Sequence, residues 1–424
     1  MIYAIFVAGL MIGLPIAITI LGTLLLFMAM NDAPYTIRIV ATEMFRGINS
    51  FPLLAIPLFV LAGEVMNESG ITGRIIAFAN VLVGRMRAGL ALVNIWASVI
   101  FAGLSGSAVA DTSAIGRVFI PEMEKNGYSR DFAAAITAAS SVIGPIIPPS
   151  IPVIIYALIV SGVSVPALFL GGIGPGVLLA IFLSIYVMAT VKNDTGSKSL
   201  DIVEVSPTKA LLGGILPLLM PVFVVGSILM GVVTPTEAAS FAVAYALFLG
   251  VFVYHNIPFS ALPRIFTRAM KDSSVILVII AAVSAANWLL TYNRVPNTLT
   301  DWVLSNVDGK VAFLIAINFL FLFVGLFLEG TAAMLVLVPI VHPIAVSLGV
   351  DPTHFGIVVI FNLMIGLITP PLGLCLFVAE AIAKVGMVKL TRAILPLFLV
   401  EVVVLFIITF VPQTVTTLPR LFGF

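Results

Sequence analysis

Long apolar runs separated by short polar segments set the pattern of this chain. The runs at 2–28, 51–66, 132–160, 167–191, 211–230, 238–254, 273–291, 355–383 and 393–412 are continuous rather than alternating. They predict helices that cross a membrane, not strands of a barrel. No charged residue occurs between Asp131 and Lys192, a stretch long enough for two spans of about 20 residues each. Two segments, 31–50 and 256–272, read as amphipathic helices at the membrane interface. The polar stretch KNDTGSKSLDIVEVSPTK (192–209) reads as a linker between halves.

Composition agrees with a polytopic membrane protein. Residues are 61% hydrophobic and 9% charged, against about 25% charged in a soluble globule. The net charge of +1, with no basic block, gives no sign of a nucleic-acid partner. The lone Cys375 forbids an internal disulfide and reads as a small packing residue. The apolar N-terminus reads as a first span, because it has no positive leader and is too long for a signal peptide.

Two apolar runs break themselves with nearly the same words: SVIGPIIPPSIP (141–152) and LMIGLITPPLGL (363–374). Sliding the chain by about 222 residues lays GPIIPP on GLITPP and FAGLSGSA (101–108) on FVGLFLEG (323–330). At a shift of 224, Asn94 falls on Asn318. Shared order and offset predict an internal repeat. In each copy a segment too short to span precedes the break. Residues 90–104 are followed by Ser105–Gly106–Ser107 and a second segment ending near Arg117; residues 311–328 are followed by 329–331 and 332–341. Fifteen helical residues reach only about 22 Å against a core of about 30 Å. Each pair reads as a hairpin that enters the membrane, turns at its tip and leaves on the same side. Arg85, Arg87, Arg117, Lys125 and Arg130 flank the base of the first hairpin, whereas 342–354 holds no Lys or Arg. The positive-inside rule therefore gives the two halves opposite topology.

The prolines explain the chemistry. Pro148-Pro149 and Pro370-Pro371 remove backbone donors, so carbonyls of Gly144, Ile147, Gly366 and Thr369 lose helical partners. Half-helix ends facing such breaks at the bilayer midplane describe a secondary transporter. Neutral oxygen ligands suit Na⁺. One ion is expected where Gly103 and Gly106 meet Gly144, Ile147 and Pro148; a second where Gly325 and Leu328 meet Gly366 and Thr369. Free N–H groups after Ser107 and Gly330 suit a carboxylate, with Ser105, Ser107, Pro149, Gly330, Thr331 and Pro371 around it. No other cofactor is expected.

These motifs resemble the large membrane subunit of TRAP (tripartite ATP-independent periplasmic) transporters. The likeness runs through IPLFVLAGEVMNESGI (56–71), AGLSGSAVADTSAIG (102–116), GPIIPPS (144–150), GVVTPTEAASFA (231–242), LEGTAAMLVLVPI (328–340) and GLITPPLG (366–373). The resemblance implies Na⁺-driven uptake of organic acids across a bacterial inner membrane. It also implies a small four-helix membrane partner, a periplasmic substrate-binding protein, and a fold similar to elevator carriers of the ion-transporter superfamily. Overall likeness points to the sialic acid members. The expected division is scaffold at 1–88, 161–310 and 384–424, with a transport domain from 89–160 and 311–383. The competing reading is a stand-alone Na⁺- or H⁺-coupled carboxylate or dicarboxylate carrier that needs no binding protein.

The remaining polar residues have plainer expectations. Asp111 either serves the site or pairs near the hairpin base, for instance with Arg117. Glu329 is open between neutralising an ion, capping a helix and binding a proton. Asn94 and Asn318 brace the tips, and Glu237 caps a helix. Glu64, Glu68, Glu380 and Glu401 lie near span ends. His255, His342 and His354 read as scattered loop residues without metal-ligand spacing. No base stands near Ser105 or Ser107 for a serine enzyme, there is no phosphate-binding loop, and a channel would need a continuous polar path.

Overall fold

A computed structural model describes residues 5, 6, 8, 9, 12–30, 37–160, 162–191, 207–307, 309–370 and 373–424. Among them the protein is helical with no strand, and seven helices are long and apolar enough to cross a membrane. It is a multi-pass membrane protein. Residues 192–206 of the expected linker, 31–36 of the first amphipathic segment and parts of the first span lie outside the described residues.

One helical order occurs twice. Helices start at Gly89, Ala108, Arg130, Ile151 and Val165, and again at Gly309, Gly330, Pro352, Leu374 and Met387, a displacement of 220 to 223 residues. Each series is a hairpin, a half-span, a break, a second half-span and a long helix. The hairpins are Gly89–Ser105 with Ala108–Lys125, and Gly309–Gly325 with Gly330–Ser347. The return arms are longer than the expected ends near Arg117 and 341. In the first, Pro121 lies within the helix without ending it.

The half-spans interlock. Leu374–Ala383 packs on the first hairpin's Ala108–Lys125 and on Arg130–Ser141, while Ile151–Ile159 packs on the second hairpin's Gly330–Ser347. Hence each chain segment, on passing its break, joins the hairpin of the other copy. Alanines and small hydroxyl residues at 133–141 are fully buried and let these helices approach closely.

Met387–Phe410 packs on the half-spans, and Val165–Thr190 packs on Met387–Phe410, Gly89–Ser105 and the half-spans Pro352–Gly366 and Ile151–Ile159, with a smaller contact to the outer helix Pro207–Leu229. Small residues bring Val165–Thr190 close: a Cβ on Gly172 or Gly176 would run into the backbone of Ile146 or the side chain of Ile147 at the first break. The outer body holds Ile16–Met30, Ile37–Ile48, Ala55–Glu68, Ile71–Val83, Pro207–Leu229, Pro235–Leu247 and Leu262–Tyr292. The expected interfacial segment 256–272 and span 273–291 largely form one 31-residue helix, Leu262–Tyr292. Ile71–Val83 and Val295–Asn306 were not among the expected spans.

Buried amides tie the repeated elements together, as expected for bracing. Asn94 Nδ2 donates to Thr137 Oγ1 at 2.7 Å and Ser98 Oγ to Ser140 Oγ at 2.9 Å. In the second series Asn318 Nδ2 donates to Thr409 Oγ1 at 3.0 Å, and Asn362 Nδ2 to the Asn318 carbonyl and Oδ1 at 3.0 and 3.1 Å. Asn318→Ala removes two buried side-chain hydrogen bonds, to Thr409 Oγ1 and from Asn362 Nδ2, while Thr409 keeps its bond to the Leu405 carbonyl and Asn362 its bond to the backbone carbonyl of residue 318. It is expected to cost about 1–3 kcal/mol, read as a lowered thermal midpoint of the purified protein.

Candidate functional site

Each hairpin tip lies against a break. The first arm ends at Ser105, and Gly106 turns the chain with φ +60°. A Cβ on Gly106 would stand 3.1 Å from the Pro149 carbonyl, and one on Gly103 3.7 Å from that of Pro148. Beyond Ser141 the span tightens into short turns and ends; the Pro148–Pro149 bond is cis. Ser150 restarts the helix by accepting from Val153 N–H at 3.2 Å. As expected, the carbonyls of Gly144 and Ile147 accept no hydrogen bond among the described residues.

The second tip is tighter. A Cβ on Gly366 would stand 2.9 Å from Gly325 Cα and 3.0 Å from its carbonyl oxygen. Among the described residues the Gly325 and Leu328 carbonyls accept nothing. The second break departs from expectation, because the chain folds back on itself. Thr369 N–H donates to Gly366, Gly373 N–H to Thr369, and Cys375 N–H to Leu367, at 3.0–3.2 Å. The Thr369 hydroxyl donates to Ile365 at 2.8 Å. Gly366 and Thr369 carbonyls are therefore bonded, each retaining one further lone pair.

Both tips open on one cavity of about 1050 Å³. Ser105, Gly106 and Ser107 line it from the first tip, and Leu328, Glu329 and Thr331 from the second. Pro149 and Gly330 stand behind its wall rather than on it, Gly330 against Met364 and Leu363. Pro371 lies outside the described residues. Among the described residues no Lys or Arg lines the cavity, so an acid would be held by N–H groups and hydroxyls. Ser107 caps its helix by accepting from Ala110 N–H at 3.4 Å. Glu329 does the same for the second hairpin, accepting from Ala332 N–H at 3.0 Å. Glu329 therefore caps this helix, the capping role among those expected of it, and it lines the cavity.

The outer body supplies the opposite wall, including Gly63, Glu64, Asn67 and Asp272. A Cβ on Gly63 would stand 3.3 Å from the Ser105 carbonyl. Sequence reasoning missed this wall; no repeat or break marks it. Glu64 pairs with Arg268 at 3.3 Å, and Glu68 with Arg264 at 3.1 Å.

Other side chains fall into place. Glu237 forms a capping box, accepting from Thr234 N–H at 2.7 Å. Asp111 makes no pair with Arg117; it is fully buried and accepts from the Ser105 hydroxyl. Glu401, expected near a span end, is also fully buried. His342 and His354 lie in helices rather than loops, bonded to Tyr156 and to the Ile408 carbonyl at 2.8 Å. Each fills a structural hydrogen bond.

A broken-helix, double-hairpin fold with a cavity between its two hairpin tips is the architecture of a membrane carrier. Residues 3–414 match the family described as the tripartite ATP-independent periplasmic transporter, DctM component. The chain belongs to that family and is a TRAP transporter large permease subunit for organic acids, not an enzyme. It is 39% identical to the sialic acid TRAP transporter large permease protein of Vibrio cholerae, covering 97% of this chain and 96% of that protein. It is 35% identical to the C4-dicarboxylate permease of Rhodobacter capsulatus (100% and 99% covered) and 36% to the 2,3-diketo-L-gulonate permease of Escherichia coli (96% and 95%). The fold is similar to the YdaH transporter of Alcanivorax borkumensis, with a TM-score of 0.65 at 15% identity over 97% of this chain and 98% of that one.

Proposed function

We propose that this subunit carries an organic acid into the cell on a Na⁺ gradient, by an elevator movement of the hairpin body against the outer body. The observation that carries this reading is the single cavity walled by both hairpin tips on one side and by the outer body on the other. The moving body comprises 89–190 and 309–424, which adds Val165–Thr190 and Met387–Phe410 to the expected hairpins and broken spans because they pack there. Opposite topology of the two series would let the same body face either side. By the positive-inside rule the rim carrying Asp272 is cytoplasmic, so this conformation faces inward.

Na⁺ at the two tip-and-break junctions would order the tips, so that the acid binds and the body crosses only when loaded. The donor set fits: oxygens of Gly103, Gly144, Ile147, Gly325 and Leu328 lie at these junctions without partners among the described residues. Sialic acid is the best substrate reading, from the whole-length likeness to a sialic acid permease; dicarboxylates and a diketogulonate are transported by other relatives of similar identity, by their names. A small membrane subunit and a periplasmic binding protein complete the system in the bacterial inner membrane.

The test is uptake of labelled sialic acid into proteoliposomes holding the chain and its small partner. Uptake is expected only with both the binding protein and an inward Na⁺ gradient. Uptake without the binding protein identifies a stand-alone carrier, and indifference to Na⁺ removes the coupling ion proposed here.

A further inference from the structure

The two tips differ in one buried charge. Asp111 is the fourth residue of the first return arm, and the fourth residue of the second is Ala333. Both are fully buried. Asp111 Oδ1 accepts from Ser105, which in turn accepts from Ser107 N–H at 3.2 Å, so the carboxyl is aimed by the tip itself. Its Oδ2 has no partner and lies against Gly144, where a Cβ would collide with it. The free carbonyl of Gly144 belongs to the same residue. Among the described residues Asp111 forms no ion pair.

An isolated buried carboxylate costs several kcal/mol unless a counter-charge meets it. Here one unpartnered carboxylate oxygen faces a break with unpartnered carbonyls, an all-oxygen set suited to a hard cation. We infer that Asp111 is the charged ligand of the first cation site, and that the second site, with Ala333 in its place, binds Na⁺ more weakly and fills later. This rests on the Na⁺-coupled reading above and assigns its two ions unequal roles. One carboxylate matches one monovalent charge. Gly144 is then required for the approach of the carboxylate as well as for the turn of the chain.

The test needs no substrate. Thermal unfolding of the full chain with its small partner in nanodiscs is followed over a NaCl series, with choline holding ionic strength constant. A cation bound only by the folded state raises the midpoint with its concentration. The wild type should respond to Na⁺ and not to choline. Asp111→Asn should unfold at a higher temperature than wild type in choline, because the unmatched charge is gone. Its Na⁺ response should require at least about tenfold more salt, equivalent to 1.4 kcal/mol or more, and what remains reports the second site. Asp111→Ser, smaller and neutral, should behave alike and covers a failure of the asparagine variant to fold.

Lower stability of both variants in choline as well as in Na⁺ would make Asp111 a structural partner of Ser105 and overturn the inference. An unchanged Na⁺ titration would do the same, leaving Asp111 as a neutral acid. Absence of any Na⁺ response in the wild type overturns both this assignment and Na⁺ coupling. A Na⁺ response that depends on Asp111, alongside uptake indifferent to Na⁺, upholds the site and removes only the coupling.

Discussion

Gly366→Ala is expected to reduce uptake by about a hundredfold. The added Cβ would stand 2.9 Å from Gly325 Cα, 3.0 Å from its carbonyl oxygen and 3.2 Å from its carbonyl carbon. All three neighbours are backbone, so no rotamer can yield. Overpacking of this kind costs about 1–3 kcal/mol. The second tip must therefore lift from the second break, and the proposed ion junction opens with it. A loss of two powers of ten corresponds to about 2.7 kcal/mol, within that range. The control is Gly73→Ala, where nothing lies within 4 Å of the new Cβ and uptake should be unchanged. Initial rates at saturating Na⁺ and substrate decide it. A Gly366→Ala protein with wild-type rates would show that tip and break need not touch during transport.

Locking the two bodies together should abolish uptake outright. A Cβ on Gly103, in the first tip, would stand 2.8 Å from Pro221 Cβ on the outer helix Pro207–Leu229. Disulfides hold Cβ atoms about 3.8 Å apart, so Gly103→Cys with Pro221→Cys needs only a small separation to bridge. The one native thiol, Cys375, is buried and should not compete. Oxidised protein should be inactive, and reduction should restore the rate of the reduced double variant. That recovery separates the lock from damage done by the substitutions. Full uptake with the bridge intact would exclude movement of the first tip past this helix.

Much of this protein was legible before any coordinates. Apolar runs without alternation gave helices, because only a helix satisfies every backbone group within its own segment in lipid. Repeated Gly and Pro words located both breaks, since each proline removes a donor and obstructs the preceding turn. Matched Asn94 and Asn318 were legible as braces, because an amide in an apolar run needs a partner. Family motifs fixed the class of carrier.

Other features existed only in three dimensions. The bonded carbonyls of Gly366 and Thr369 depend on Gly373 and Cys375 folding back, a local path that proline content does not specify. The wall of Gly63, Glu64 and Asp272 comes from helices far away in sequence, and distance along the chain carries no trace of it. Val165–Thr190 and Met387–Phe410 look like any apolar span; the place of Val165–Thr190 beside the first break is decided by Gly172 and Gly176 meeting Ile146 and Ile147. Asp111 could be read as paired with Arg117 until the fold turned it toward Ser105 and Gly144. Sequence determined that this chain crosses the membrane in helices and where it breaks, because those follow from local solvation and backbone chemistry. Tertiary structure alone decided which broken ends face each other, because that depends on close packing between distant segments.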